Sequence, residues 1–433
     1  MIKNILFFLV IYLPFEEFVL KHLGISELGY SMLKQIPDLL VIFLFFVIFA
    51  SRVLANSKFT PSHDKVLYVL FFLLCLTTVS ALYNNASIFN SLLNFKASIR
   101  YMLLMFIVYE SSFALSDIRK MLNLIFFMGI IQGFIGILSY FLGDSAIHFF
   151  SPGSYSDYGG VKYSSFNEAK GSIFGTMNFP VVFGYFMLLV LTLLLSFKSF
   201  LLKNAFIFYF FVLFFLVNVI LSESRAAIIL AILSFIFFTF KSRYGFIKIT
   251  LIALLGSLFF IFFVEGVEIS SDYKDFSYIF NGNLIEILEH QRLGMVYLLL
   301  DNFSKINMLL GLSFDKEFVV DTIIANFVIP LTLKDHVIYF IEDVYWLSLY
   351  LYSGITGIVL YFILLYSVYR ETIIKHKDLI SNKFILFIKF NLFVILVASF
   401  LNQILEFRQY SFYFWLIVGL YFRYMRIQTM LKK

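Results

Sequence analysis

Cysteine is nearly absent: Cys75 stands alone among 433 residues. It lies in the apolar run from Val66 to Leu82, so an intrachain disulfide framework and a cysteine-based zinc or iron–sulfur site are excluded. Charge is scarce as well, with Asp, Glu, Lys and Arg making up 14% of the chain. There is no Walker A loop, no pair of histidines at metal-ligand spacing and no Asp-x-Asp of the kind that holds a metal-bound nucleotide. The net charge of +6 suggests nucleic acid only until its distribution is considered, because the cations are spread over many short connections.

What is present is apolar surface. Hydrophobic residues make up 61% of the chain and aromatics 21%, with 60 phenylalanines, against roughly 45–50% apolar residues in an ordinary soluble domain. A soluble core of this length cannot hide that much, so the solvent for most of the chain is lipid. A helix crossing the hydrocarbon layer needs about 20 mostly apolar residues, since each contributes ~1.5 Å of rise and every backbone polar group must be paired internally. Twelve such runs are present, at about 4–20, 36–50, 66–82, 99–115, 121–141, 177–196, 204–221, 226–240, 246–264, 341–368, 384–402 and 410–425. The first has Glu16 and Glu17 after Pro14 and no small-residue cleavage site, and is read as a retained span. The expectation is an all-α polytopic membrane protein of about twelve transmembrane helices, one integral membrane domain over 1–433.

Lys and Arg choose the sidedness. Alternate connections collect nineteen cations, from Lys3, Arg52, Lys58 and Lys65 through Arg119, Lys198, Lys241 and Arg370 to Arg423, Arg426 and Lys433, with only Asp64, Asp117, Glu371 and Asp378 against them. That side is expected to be cytoplasmic, with both termini on it. The other side holds the two long connections, about 142–176 and 265–340. The second lies between the ninth and tenth spans, and its run from Leu284 to Phe303 has apolar residues at helical spacing, as in an amphipathic helix at the membrane surface.

Charges that are not on the cytoplasmic side are candidates for function, because they are costly near lipid. Ser222-Glu223-Ser224-Arg225 forms a short turn between two apolar spans. Ser224 is placed to N-cap the following helix, so that Arg225 stands at its positive end, where an anion would offset the unfavourable charge. Free N–H groups and a guanidinium together suit phosphate or pyrophosphate; the competing reading is an interfacial anchor paired with Glu223. Glu289-His290-Gln291-Arg292 offers a second cation, or a weak surface pair between Glu289 and Arg292. Glu342-Asp343-Val344-Tyr345-Trp346 precedes Gly354-Ile355-Thr356-Gly357. Its carboxylates serve either as helix caps or as a general base, its aromatics fit an interfacial belt, and its glycines fit close helix packing. His336 is a weaker alternative base.

These places, in this order, resemble the O-antigen polymerase and ligase family of bacterial membrane glycosyltransferases. Ser224-Arg225-Ala226-Ala227-Ile228-Ile229 is similar to the family's Ser-Arg step. Arg292 through Leu310-Gly311-Leu312-Ser313 resembles its arginine-bearing outer loop, and Asp343 through Gly357 its next motif. Gly171-Ser172 through Asn178-Phe179-Pro180 resembles the segment before its central spans. The resemblance covers roughly 170–370. It implies a multi-pass protein of the bacterial inner membrane, with its active site facing the periplasm, that joins undecaprenyl-pyrophosphate-linked oligosaccharides, donor to acceptor, without metal or cofactor. Arg225, Arg292, Ser224, Tyr345 and His290 would bind substrate, and Asp343 or Glu342 would serve as base. Membrane lipids and a chain-length regulator are the implied partners, and no nucleic acid is involved. The family's ligases have His where Asp343 falls, which favours polymerase over ligase. The rival from another class is a flippase for lipid-linked oligosaccharide.

Overall fold

The computed structural model describes residues 2–23, 26–54, 61–143, 149–150, 172–177, 179–202, 204–239, 306–326, 344–372 and 378–431. Among these the secondary structure is entirely helical: α1 (Ile2–His22), α2 (Glu27–Leu54), α3 (Pro61–Tyr83), α4 (Ile88–Ile99), α5 (Leu103–Glu110), α6 (Leu115–Leu142), α7 (Pro180–Ser196), α8 (Lys198–Leu201), α9 (Ala205–Leu221), α10 (Arg225–Thr239), α11 (Lys316–Asn326), α12 (Tyr345–Glu371), α13 (Leu379–Ala398) and α14 (Arg408–Leu431). The apolar run at 246–264 and the amphipathic run from Leu284 to Phe303 lie outside the described residues.

Five of these helices are long and apolar enough to cross a membrane, namely those holding Gly29–Leu54, Lys65–Tyr83, Leu115–Leu142, Tyr345–Glu371 and Leu379–Ala398. The pair α4 and α5 would make a sixth if taken as one bent span. α7 and α14 form the centre. Both are apolar around their whole circumference, which buries a helix on every side, and Val182 to Leu194 and Gln409 to Phe422 are covered throughout. Gly419 lets α14 approach α5 closely, because a Cβ there would sit 2.8 Å from Val108 Cβ. On the perimeter the large side chains face outward instead, with Phe43, Phe46, Phe71, Phe72, Phe127, Phe134, Phe210 and Phe362 all exposed. In water that belt would drive aggregation; in lipid it is the ordinary outer surface of a bundle.

The helix ends sort into two groups. At one end Lys3 reaches Asp117 at 2.9 Å, Glu110 is shared by Arg52 and Arg426, and Arg423 donates to Phe113 O. At the other, Ser80 donates to Leu310 O, Arg100 meets Asp38, and Arg408 meets Glu16. That grouping is what alternating crossings produce.

Two of the expected runs need correction. The run at 99–115 is not one helix: α4 and α5 meet at 57° around residues 100–102, and Ser111 to Ala114 is extended at its ends before α6 begins. α5 alone rises about 12 Å at 1.5 Å per residue, too short to cross. At the bend Arg100 turns toward the buried Asp38 and the chain closes in short turns, Met102 N to Ile99 O and Leu104 N to Tyr101 O. The run at 341–368 begins its helix at Tyr345 and is interrupted at Gly354, whose φ of 62° and ψ of −165° are non-helical.

Candidate functional site

Ser224 occupies the position expected of it. It immediately precedes α10, and its carbonyl accepts the first helical hydrogen bond, from Ile228 N at 2.9 Å. Arg225 opens the helix and is exposed. The chain reverses through Glu223, which holds a left-handed φ of 53°, a conformation that costs a non-glycine residue free energy and persists only where its surroundings enforce it. The enforcement comes from α7. A Cβ at Gly184 would stand 2.5 Å from Ser222 Oγ and 3.0 Å from Ser224 Cβ, so the turn is seated on bare backbone. Burial raises the carboxyl of Glu223 above its ordinary value.

The segment 172–177 runs beside this turn. Ile173 N donates to Leu221 O at 3.0 Å, Thr176 Oγ1 donates to Pro14 O at 2.6 Å, and Gln132 Oε1 accepts from Thr176 N at 3.1 Å. Pro180 then starts α7 behind an extended Phe179, the backbone that a residue before proline prefers. Two of the motif stretches therefore meet.

The other two also meet, by a contact the sequence did not suggest. Gly311 and Gly354, both at positive φ, lie backbone to backbone: a Cβ on Gly311 would be 2.6 Å from Gly354 N, and one on Gly354 would be 2.5 Å from Leu309 C. Breaking α12 frees backbone groups, and the 306–315 segment takes them up, with Leu312 N donating to Leu351 O and Ile355 N to Met308 O. Ser80 of α3 and Asn84 just beyond its end hold the segment through Leu310 O and Gly311 O. Gly354 is thus a joint rather than a helix-packing glycine.

Tyr345 sits at the start of α12, buried, in edge contact with Trp346 and Tyr361. It is buried rather than an exposed belt residue, and the 396–403 segment packs on its neighbours in α12. Trp346 Nε1 donates to Leu396 O, and Gln403 Nε2 to Ser348 Oγ. The same segment reaches α7 through Asn402 and the Tyr185 hydroxyl at 3.1 Å, one residue from Gly184. Tyr345, Ser224 and Arg225 are therefore brought to one end of the bundle. Arg292, His290, Glu342 and Asp343, with His336, lie outside the described residues.

That end also holds a network of charges that the sequence analysis did not single out. Arg408 contacts Glu16 at 2.5 Å and Asp38 at 2.9 Å and donates to Lys34 O at 2.7 Å. Arg100 contacts Asp38 at 2.5 Å, and the Tyr101 hydroxyl donates to the other oxygen of Asp38. Lys34 pairs with Glu17 at 2.6 Å, and Lys316 stands 3.7 Å from Glu406, which also accepts from Ser98 Oγ. Ions cost several kcal/mol each to desolvate, and shared guanidinium forks are the arrangement that offsets this best. The available signal was the rule that intramembrane charges mark function. Asp38, Arg100 and Arg408 each sit singly at the edge of an apolar run, with partners far away in sequence.

A search against models of known protein families finds no match for this chain, and no curated protein matches it.

Proposed function

We propose that this chain is a surface-polysaccharide polymerase of the O-antigen type, a membrane glycosyltransferase that moves a growing glycan from undecaprenyl pyrophosphate onto the terminal sugar of a second lipid-linked repeat unit. In this reading the chain crosses the bacterial inner membrane twelve times, both termini are cytoplasmic, and the end bearing Arg225 faces the periplasm. The observation that carries it is the meeting at one bundle end of the described parts of the four stretches that resemble the family: 172–177 bonded through Ile173 to Leu221, at the start of the Ser224-Arg225 turn, and 308–312 against 351–355.

The reaction is a displacement at the anomeric carbon. The acceptor hydroxyl forms the new C–O bond, the bond to the diphosphate breaks, and the lipid diphosphate leaves with the electron pair. Arg225 and Arg292 stabilise the charge as it builds, a role commonly worth several kcal/mol per preorganised donor. Asp343 or Glu342 takes the hydroxyl proton. Single displacement inverts the anomeric centre, and Tyr345 and Ser224 help shape the floor beneath the reacting groups.

One observation favours a transport reading: the broken α12 and the bent α4–α5 pair resemble the discontinuous helices around which transporters build sites. Deleting the protein and running the surface glycan on a gel separates the readings. A single repeat unit per carrier supports a polymerase, unlinked polymer a ligase, and loss of all surface glycan a flippase.

A further inference from the structure

Two ion pairs at the Arg225 end are matched one to one, Lys34 with Glu17 and Lys316 with Glu406. At the α4–α5 bend the match fails among the described residues. Three cations, Lys96, Arg100 and Arg408, converge on two carboxylates, Asp38 and Glu16. Asp38 already accepts from both guanidiniums and from the Tyr101 hydroxyl. Lys96 stands 4.0 Å from it, and the short contact of the ammonium, at 2.5 Å, is to the neutral amide oxygen of Gln35. An ammonium has three donors, and this acceptor satisfies one.

The guanidinium of Arg100 is better held, through Nη1 to Asp38 at 2.5 Å and Nη2 to Glu406 O at 3.3 Å, but it too keeps a donor unmatched. Arg100 is only 9% exposed, yet its Nε is buried without an acceptor. Glu16 Oε1 is likewise unpartnered, but it lies on the Arg408 side of the network, with Asp38 and its donors between. Lys96 and Arg100 are four residues apart on α4 and its cap, hence on one face. The Lys96 side chain remains 19% exposed, so the surplus charge is reachable. A surplus cation in a low-dielectric bundle is costly, and the species that offsets it is an anion with several acceptor oxygens. Phosphate and diphosphate esters fit a fork and an ammonium side by side.

We propose that Lys96 and Arg100 form a binding site for the phosphate or diphosphate group of an anionic substrate, on elements other than the Arg225 turn, with Arg408 holding Asp38 on the far side of the network. A polymerase seats two lipid diphosphates at once, and this site would take the second. That assignment rests on the polymerase reading, whereas the anion site does not.

The test uses the full chain in detergent, carrying Arg225→Ala so that the other arginine turn does not contribute, and measures binding of farnesyl diphosphate, inorganic pyrophosphate and farnesol. Farnesyl diphosphate should bind about tenfold more weakly after Lys96→Gln, the loss expected for one charge-assisted contact, with unchanged thermal unfolding and no change for farnesol. Pyrophosphate that competes with the same sensitivity places recognition in the phosphates alone. Pyrophosphate that fails to compete while farnesyl diphosphate keeps its sensitivity shows that the lipid is read too. If farnesyl diphosphate does not bind, or if Lys96→Gln and Arg100→Lys both bind it as the parent does, the site is overturned. A polymer assay with the wild-type chain separates the two claims: polymer with insensitive binding overturns the site alone, and sensitive binding without polymer overturns the polymerase reading alone.

Discussion

At the residue scale, the two kinds of charge in this protein should answer differently to substitution. Arg225 is exposed, and removing it should leave stability within about 0.5 kcal/mol. Asp38 is buried between two guanidiniums. Asp38→Asn leaves Arg100 without a carboxylate among the described residues and Arg408 with Glu16 alone, and should cost about 3–5 kcal/mol, read as a large drop in unfolding temperature in detergent. Asp378 is a capping case. Burial works against its ionisation, but hydrogen bonds from Tyr424 and from the Ser381 backbone prevail and hold its carboxyl below the usual range. Its contribution is present above the ordinary value of 3.8 and is lost as pH falls through the depressed one. Asp378→Ala should therefore cost about 1 kcal/mol near neutrality, and that difference should shrink in acid, as measured by unfolding at two pH values. Of these residues the sequence made the positions of Ser224 and Arg225 legible, because a polar turn between two apolar runs marks where a helix starts. Asp38, Arg100 and Arg408 stayed hidden because only the fold makes them neighbours.

At the element scale, apolar length was a good guide to where helices lie and a poor one to whether they are continuous. Hydropathy is blind to φ. Nothing in the apolar content of 345–371 distinguishes a straight helix from one broken at Gly354, and nothing in 99–115 shows that its first residues are a bend. The positive φ shared by Gly311 and Gly354 makes the joint sensitive to any side chain. Gly354→Ala places a Cβ 2.5 Å from Leu309 C at a φ of 62°. It should destabilise by more than about 1 kcal/mol and should release the Ile355 N–H from Met308 O, visible as faster hydrogen exchange at Ile355 than in the parent. Slow exchange with unchanged stability would mean that the joint does not hold α12 in its broken form.

At the scale of the whole molecule, the segregation of Lys3, Arg52, Arg119, Arg423 and Arg426 from the Arg100 and Arg408 network is the structural counterpart of the charge asymmetry along the chain. With Cys75→Ala as background, Phe89→Cys should react with an impermeant thiol reagent in intact cells, and Thr429→Cys only after the membrane is opened. The reverse pattern would invert the orientation and move Arg225 to the cytoplasmic face. That these cations gather at one end could be read from sequence because they recur in alternate connections; which face of the membrane that end takes is what the labelling decides. The assembly of the site could not be read there, because it depends on contacts such as Gly311 with Gly354 and Tyr185 with Asn402 that no local pattern encodes.

The most direct measurement gives the purified full-length chain, in detergent, undecaprenyl-diphosphate-linked repeat units as both donor and acceptor, and resolves the products by length. A ladder of glycans from the wild-type chain, collapsing to single units after Arg225→Ala in a protein that still folds, is the expected result. Single units from the wild-type chain, or the same ladder from both proteins, would contradict it.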